Sequence, residues 1–210
     1  MQVNVIVDVL RAFTVAHFAF IQGAKRIYLV ASQEEAFKLK ESNPEYLLAG
    51  ESGGLAIEGF DLDNSPAALL LHDVAGRVLV QKTSNGTKAT LENLDAHRLF
   101  VTGFSNSYQL AHYLRTLPIK KLNIIPSRLK DDDFAVQEHI QALYEGKESS
   151  QLQTIRRIVT SDVASKFFTD ERFNPQDVVY ATSEIACDFV MEVKNDGPEG
   201  VYIEKCFFKG

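Results

Sequence analysis

Short apolar runs rich in β-branched residues alternate with stretches of helical periodicity, and this alternation restricts the fold more than any other feature. The runs Val3–Val7 and Val78–Lys82 are typical of buried strands. Strands separated by helices in this way are typical of βα units that cover a largely parallel sheet. We therefore predict an α/β fold with three layers, α/β/α, around a largely parallel or mixed sheet.

The predicted helices and strands follow one another in regular order. Ser32 and Glu35 form a capping-box pattern that opens a helix, and Gly23 is placed to end the preceding helix in a left-handed conformation. Strands are predicted at 3–7, 27–30, 46–49, 78–82, 99–101, 122–125 and 201–204. Helices are predicted at 10–22, 33–40, 105–115, 133–144 and 151–169, with one more that ends at 94. The segment 50–66 is predicted to be a long ordered loop.

Length, composition and charge exclude several classes of protein. The chain has 210 residues, of which 45% are hydrophobic, so we predict a single α/β domain over residues 1–210. The polar segment Glu145–Gln153 is where a subdivision would fall. A net charge of -6 argues against a nucleic-acid partner, because such a partner requires a basic surface. A small anion can still bind where a few cations and backbone N–H groups line a cleft.

The cysteines and the apolar runs predict where the protein is located. Cys187 and Cys206 have no metal-type spacing and are too few for a disulfide framework, which favours a reducing compartment. The start of the sequence has no basic region followed by a cleavage site, and charges interrupt each apolar run before it reaches membrane-spanning length. We expect a cytoplasmic protein with no membrane partner.

Polar residues follow the predicted strands, and this is where ligands bind in open α/β sheets. After the first strand, Asp8 offers a carboxylate to a hard cation and Arg11 offers a guanidinium to an anion. The alternative is an N-cap Asp beside a surface Arg. After the third strand, the acids and glycines of Gly50–Pro66 suit a cation and an anion, or else form a solvated Ω-loop.

Two further segments of small polar residues precede helices. The turn Thr83–Thr87 offers hydroxyls, an amide and helix N–H groups to an anion, although an Asn-Gly turn is also a common structural device. The segment Gly103–Ser107 repeats the pattern, and a simple N-cap is its favoured interpretation when the segment is taken alone.

In their order and content, these segments resemble the 2-phosphosulfolactate phosphatase family. The resemblance rests on V-D-V-L-R-A from Val7, G-E-x-G-G from Gly50 running into G-F-D-x-x-N-S-P, T-x-N-G-T from Thr83, and G-x-x-N-S from Gly103. It is strong from Val3 to Arg115 and faint beyond that point.

The resemblance implies Mg²⁺-dependent hydrolysis of a small anionic phosphate monoester, 2-phosphosulfolactate or a related phospho-hydroxy acid, in coenzyme M biosynthesis. It also implies that the catalytic and metal-binding carboxylates are Asp8, Glu51 and Asp61. The residues that it implies for substrate binding are Arg11, Asn64, Ser65, Asn85, Gly86, Thr87 and Asn106. Together with an apolar helical second half, the resemblance favours a homodimer.

The sequence departs from the family pattern at several places. Ser52 stands where the family usually has Arg, which removes a cationic anchor for the substrate. Asp63 stands where the family usually has Gly, and we expect it to add a negative charge beside the anion site. Ser127 and Asp131–Asp133 stand where the family has a glycine and then a Glu-Asp pair. We interpret these aspartates as helix caps in preference to functional replacements.

Two other classes of function were weighed against the phosphatase. A catalytically weak paralogue that binds a small anion as a sensor or interaction module is the alternative, because lost and added charges are costly in a desolvated site. A nucleotide-binding Rossmann protein is excluded, since no G-x-G-x-x-G follows the first strand and no Walker motif occurs. The five histidines have no ligand spacing, and core or surface positions are predicted for them.

Overall fold

The secondary structure alternates as the apolar runs predict, and the computed structural model describes it for residues 1–197 and 200–208. The strands are β1 (Gln2–Val7), β2 (Arg26–Leu29), β3 (Leu47–Ser52), β4 (Leu55–Ala56), β5 (Val78–Lys82), β6 (Arg98–Thr102), β7 (Lys121–Pro126), β8 (Phe189–Gly197) and β9 (Gly200–Phe207). The helices are α1 (Ala12–Ile21), α2 (Gln33–Ser42), α3 (Pro66–Leu69), α4 (Gly86–Leu91), α5 (Ser107–Arg115), α6 (Asp131–Tyr144), α7 (Gln151–Val159), α8 (Asp162–Thr169) and α9 (Gln176–Ala181).

The strands form a nine-stranded mixed sheet in the order β4-β3-β5-β2-β9-β8-β6-β1-β7. One parallel group consists of β3, β5 and β2, and the other consists of β6, β1 and β7. The hairpin β8–β9 lies between the groups and pairs antiparallel with β6 on one side and with β2 on the other. The prediction of an α/β fold with helices flanking a mixed sheet is confirmed.

The two parallel groups run in opposite directions. Three antiparallel pairings separate them, namely β2 with β9, β9 with β8, and β8 with β6. An odd number of reversals means that the carboxyl ends of the two groups would lie at opposite edges of a flat sheet. The inserted hairpin therefore decides how loops from the two groups can meet.

Helix α1 is buried on nearly all sides. Its sequence is apolar around the whole circumference, and such a helix needs packing partners on every face. Nine of its ten residues are buried, and it contacts β6, α3 and α4. Gly23 follows it with φ of 94°, the left-handed conformation predicted for that glycine.

The second half of the chain differs from the sequence prediction. The single helix predicted at 151–169 is wrong, because it is divided into α7 and α8 and the Ser161 hydroxyl accepts a hydrogen bond from Ala164 N at the start of α8. Strand β8 and helix α9 were not predicted, and the strand predicted at 201–204 is the middle of β9. In the part of the chain that the structure describes, no helix has the length and apolar composition needed to cross a bilayer.

Candidate active site

Loops that follow β1, β3, β5 and β7 surround a cavity of about 240 Å³, and helix α8 closes one side of it. The polar and charged residues that line it are Asp8, Arg11, Glu51, Asn64, Thr83, Ser84, Asn85, Arg128 and Lys166. Its apolar wall includes Leu10, Val163, Phe167 and Phe173. The two parallel groups of strands run in opposite directions, and both contribute residues to this cavity.

Asp8 lies directly after β1 and is almost fully buried. One carboxylate oxygen accepts from Ala12 N at 2.9 Å, and the other accepts from the Ser127 hydroxyl at 2.8 Å. Burial raises the pKa of Asp8, although the nearby Arg128 guanidinium opposes the rise. A Cβ on Gly86 would lie 2.9 Å from Asp8 Oδ2, so only glycine lets α4 approach this carboxylate so closely.

Glu51 ties the loop after β3 to the loop after β5. Its two carboxylate oxygens accept from Ser84 N and Gly54 N, each at 2.5 Å, and from the Ser84 hydroxyl at 3.1 Å. The strands themselves approach closely here, since a Cβ on Gly50 would lie 1.9 Å from the carbonyl oxygen of Lys82. Glu51 therefore has fixed partners at the cavity wall before any ligand binds.

Arg11 is held rigidly in the wall of the cavity. Its guanidinium forms a 2.8 Å ion pair with Asp177 and donates to the carbonyl oxygen of Gly54 at 2.9 Å. The Phe167 and Phe173 rings lie 5.2 Å and 5.5 Å from its guanidinium carbon. Arg11 therefore links the first motif to helices from the second half of the chain.

Asp177 anchors α9 at the same place. It is fully buried, and it also accepts from the Ser65 hydroxyl at 2.6 Å and from Ala67 N at 3.1 Å. Its ion pair with Arg11 is thus supplemented by hydrogen bonds to the start of α3. Removing either charge would leave the other buried without compensation.

Arg128 follows β7 and lies in a cluster of buried carboxylates. It donates to the carbonyl oxygen of Leu10 at 2.8 Å and to Asp132 Oδ2 at 3.1 Å. Asp133 accepts from Val9 N at 2.9 Å and from Arg128 N at 3.2 Å. Burial raises the pKa of Asp133 and raises that of Asp132 to about 6.

The interpretation of these aspartates as helix caps is wrong. Lys130 occupies the N-cap position of α6, and no side chain caps that helix by a hydrogen bond. Asp131 instead pairs with Arg157 on the surface at 2.6 Å, whereas Asp132 and Asp133 face the site. These aspartates lie in the first turn of α6, where the helix dipole also favours negative charge.

The structure brings together only part of the residue set predicted from the sequence. Five of the predicted residues line the cavity, namely Asp8, Arg11, Glu51, Asn64 and Asn85. Asp61 does not line it. Its carboxylate accepts from Leu48 N at 2.8 Å and pairs with Lys40 at 3.2 Å, and it is 36% exposed. The predicted set of three metal-binding carboxylates is therefore not assembled.

The other predicted substrate-binding residues lie behind the cavity wall. Thr87 exchanges hydrogen bonds with Thr83, and the amide oxygen of Asn106 accepts from the Thr102 hydroxyl at 2.8 Å. Ser65 binds Asp177, and Gly86 packs against Asp8, as described above. Ser65, Gly86 and Thr87 contact residues that position or form the lining, whereas Asn106 contacts Thr102, and none of the four lines the cavity.

The positions where the sequence departs from its family pattern also lie outside the cavity. Ser52 is exposed at the end of β3 and does not line it. Asp63 accepts from Ser65 N at 3.1 Å in a local turn and does not line the cavity, although it precedes the lining residue Asn64. Neither substitution changes the charge of the lining residues.

Several site residues were missed by the sequence reasoning. Arg128 follows a predicted strand, and the rule that ligands bind after strands would have included it. Lys166, Phe167, Phe173 and Asp177 have no such signal, because they lie in helices or irregular segments remote from any motif.

The donors that could hold a metal are oxygens from three loops. Asp8 and Glu51 contribute carboxylates, and Asn64 Oδ1 is buried with no hydrogen-bond partner among the described residues. In residues 1–197 and 200–208 no group of three His, Cys, Asp or Glu side chains could hold a metal by itself. Two carboxylates and an amide oxygen nevertheless suit Mg²⁺, which commonly takes one or two carboxylates together with water and substrate phosphate.

Comparisons with known proteins point to one family. The family model described as 2-phosphosulpholactate phosphatase matches residues 1–196. A probable 2-phosphosulfolactate phosphatase of Bacillus subtilis (strain 168) is 46% identical over 201 residues, which cover 93% of this chain and 88% of the relative. Its namesake in Carboxydothermus hydrogenoformans is 35% identical over 179 residues, covering 85% of this chain and 72% of the relative. A third, from Clostridium perfringens (strain 13), is 29% identical over 215 residues, covering 92% and 87%.

Proposed function

Because this chain belongs to the 2-phosphosulfolactate phosphatase family, we propose that it hydrolyses 2-phosphosulfolactate or a related phospho-hydroxy acid with the help of Mg²⁺. The reaction class is that of a phosphoric monoester hydrolase. One observation carries the proposal: Asp8, Glu51, Asn64 and Arg128 come from separate segments of the chain and line one cavity of about 240 Å³. A cavity of that size suits a small phosphoester.

Phosphoryl transfer to water requires positioning and neutralisation of charge far more than covalent chemistry. Arg128 Nε is buried 3.9 Å from Asp133 Oδ2 and has no hydrogen-bond partner among the described residues, so this guanidinium is not fully committed to its carboxylates and is the proposed contact for a phosphate oxygen. Asn85 also lines the cavity and offers an amide donor. Phe167 and Phe173 exclude water from the opposite wall, which strengthens the electrostatic interactions inside.

Asp8, Glu51 and Asn64 are the residues that would hold Mg²⁺. When bound, the ion would neutralise charge on the transferring phosphoryl group and lower the pKa of the attacking water. The three residues differ in how many hydrogen bonds they already make. The Glu51 carboxylate accepts from backbone N–H groups, whereas Asn64 Oδ1 has no partner among the described residues.

The charge balance of the site supports a divalent cation. Three cationic side chains and two carboxylates line the cavity, and three further carboxylates lie directly behind it. The three carboxylates behind the wall are Asp132, Asp133 and Asp177. When all five carboxylates are ionised they exceed the three cations by two charges, and a divalent cation would offset that excess.

The test is phosphate release from a panel of small phosphoesters, measured with Mg²⁺ and again after chelation with EDTA. We expect turnover of 2-phosphosulfolactate that depends on Mg²⁺ and is lost at least 100-fold on chelation. Circular dichroism before and after chelation verifies that the fold is retained. If folded protein hydrolyses none of the esters, the proposed phosphatase activity is overturned. If calorimetry then shows that the protein binds the same esters without turnover, the sensor or interaction module is favoured.

A further inference from the structure

Lys166 differs from the other two cations that line the cavity. Arg11 is paired with Asp177 and Arg128 is paired with Asp132. Across the described part of the chain, Lys166 forms no ion pair or side-chain hydrogen bond, although it lines the same cavity. Asp170, one turn further along, pairs with Arg172 at 2.6 Å, and it attracts the Lys166 ammonium only through charge, without an ion-pair contact.

The position of Lys166 on α8 puts its charge at the opening of the cavity. Val163 and Phe167 are four residues apart, so they share one face of α8, and both are buried in the cavity wall. Lys166 precedes Phe167 and is exposed, so its ammonium stays hydrated while its apolar stem follows the wall. The carboxylates of Asp8 and Glu51 line the same cavity from the segments at the ends of β1 and β3.

We propose that Lys166 binds the carboxylate or sulfonate that the substrate carries beside its phosphate ester. The inference rests on the proposed function, in which Arg128 and Asn85 take the phosphate. The remaining wall on the α8 side consists of Val163, Phe167 and Phe173, none of which can stabilise an anion. Arg11 lies beside the two phenylalanine rings, but its guanidinium is held by Asp177 and the carbonyl oxygen of Gly54. Among the described residues, Lys166 is therefore the cation on this side without an ion-pair partner, and an anionic tail that leaves the phosphate toward α8 meets it. Lys166 makes the enzyme prefer phosphoesters with a second negative charge over neutral ones.

The test compares two substrates that differ only in the tail: 2-phospholactate, with a carboxylate, and 2-phospho-1,2-propanediol, with a hydroxymethyl group in its place. For Lys166→Gln we expect KM for 2-phospholactate to rise about 10-fold with kcat within twofold, because one charge-assisted contact near solvent is lost. KM for the neutral analogue should stay within twofold. Lys166→Arg should restore KM for 2-phospholactate to within threefold.

Lys130→Gln is the matched control. Lys130 lies at the start of α6, pairs with Asp162 of α8 at 4.0 Å and does not line the cavity, so both KM values should stay unchanged. Equal changes of KM for the two substrates in Lys166→Gln, or no change for either, would overturn the role of Lys166 while the phosphatase stands.

A binding measurement separates this inference from the proposed function. Calorimetric titration with 3-sulfolactate requires no turnover, and the Kd should be about 10-fold weaker in Lys166→Gln than in the unmodified protein. An identical Kd, or no binding by the unmodified protein, would overturn the inference. If the unmodified protein hydrolyses no phosphoester but binds sulfolactate more tightly than Lys166→Gln does, the proposed phosphatase activity is wrong and the contact between Lys166 and the anion is supported.

Discussion

The two sides of the cavity are built differently. On one side, the ends of strands and the loops of the first half present Asp8 and Glu51 through dense local hydrogen bonding, and they present Asn64 with an unpartnered amide oxygen among the described residues. On the other side, helices of the second half present Phe167 and Lys166 from surfaces that otherwise pack on the core. The first side is recognisable by residue type, and the second side is recognisable only by position.

The two sides of the cavity contribute different properties. The loop side carries the groups that phosphoryl transfer requires, and these residue types are restricted by the chemistry. The helical side shapes and closes the cavity, which many apolar residues could do. Arg11 and Asp177 connect the two sides through a buried ion pair, so the cavity exists only when both halves are packed together.

The largest effect is expected on the loop side, from Asp8→Asn. This change keeps the shape of the side chain and removes the charge at the centre of the site, so we expect kcat/KM with Mg²⁺ to fall at least 10³-fold. Asp61→Asn is the matched control, because Asp61 pairs with Lys40 outside the cavity, and its activity should stay within threefold. Equal losses of kcat/KM in the two variants would indicate that Asp61 takes part in catalysis.

The connection between the two sides is tested by Asp177→Asn. The change leaves Arg11 buried with no neutralising charge, and we expect the free energy of unfolding to fall by about 3 kcal/mol. Asp170→Asn breaks an exposed pair with Arg172 and should cost less than about 1 kcal/mol. Urea denaturation measures both. A loss below about 1 kcal/mol for Asp177→Asn would mean that the two halves pack without this ion pair.

The tight packing of the loop side predicts the effect of Gly86→Ala. The added methyl group would lie 2.7 Å from Ala12 Cβ and 2.9 Å from Asp8 Oδ2, so either α4 or the carboxylate must move. We expect kcat/KM to fall about 10-fold to 100-fold and stability to fall by about 1–2 kcal/mol. Lys88→Ala, an exposed change on the same helix, should alter neither quantity. Unchanged kcat/KM in Gly86→Ala would show that Asp8 need not be fixed.

The smallest effect is expected from Asp132→Asn without metal. Burial raises the pKa of Asp132 to about 6 in the folded protein, above its ordinary value of 3.8. Folding therefore favours the protonated acid, so this group stabilises the protein progressively as the pH falls from about 6 toward 4, and this contribution is lost at higher pH. We expect Asp132→Asn to be about 1–2 kcal/mol more stable than the unmodified protein at pH 8 and similar to it near pH 4.5.

Thermal or urea unfolding across that pH range measures the effect. Asp162→Asn is the control, because Asp162 is exposed and its substitution should leave the pH profile unchanged. Parallel profiles for Asp132→Asn and the unmodified protein would contradict a perturbed carboxyl group behind Arg128.

Much of the loop side could be predicted from the sequence. The strands of the first half, the glycine that ends α1, and five lining residues follow from local patterns, since turn geometry and strand burial depend on neighbouring residues. The aspartates after β7 could not be interpreted in the same way. An aspartate in the first turn of a helix looks identical whether it interacts with its own helix or with another loop.

Local patterns in the sequence specify the alternation of strands and helices, the family, and the chemical groups of the loop side. How the chain packs in three dimensions places Asp61 and Asp63 outside the cavity and Lys166 in its lining. The packing also brings Asp8 and Ser84 to one cavity, although β1 and β5 run in opposite directions. Five pairings separate those strands, and a twist of roughly 20–25° per pairing turns them by about 100° or more, so their carboxyl ends need not point in opposite directions. Twist accumulates over the whole sheet, so no local segment of sequence records it.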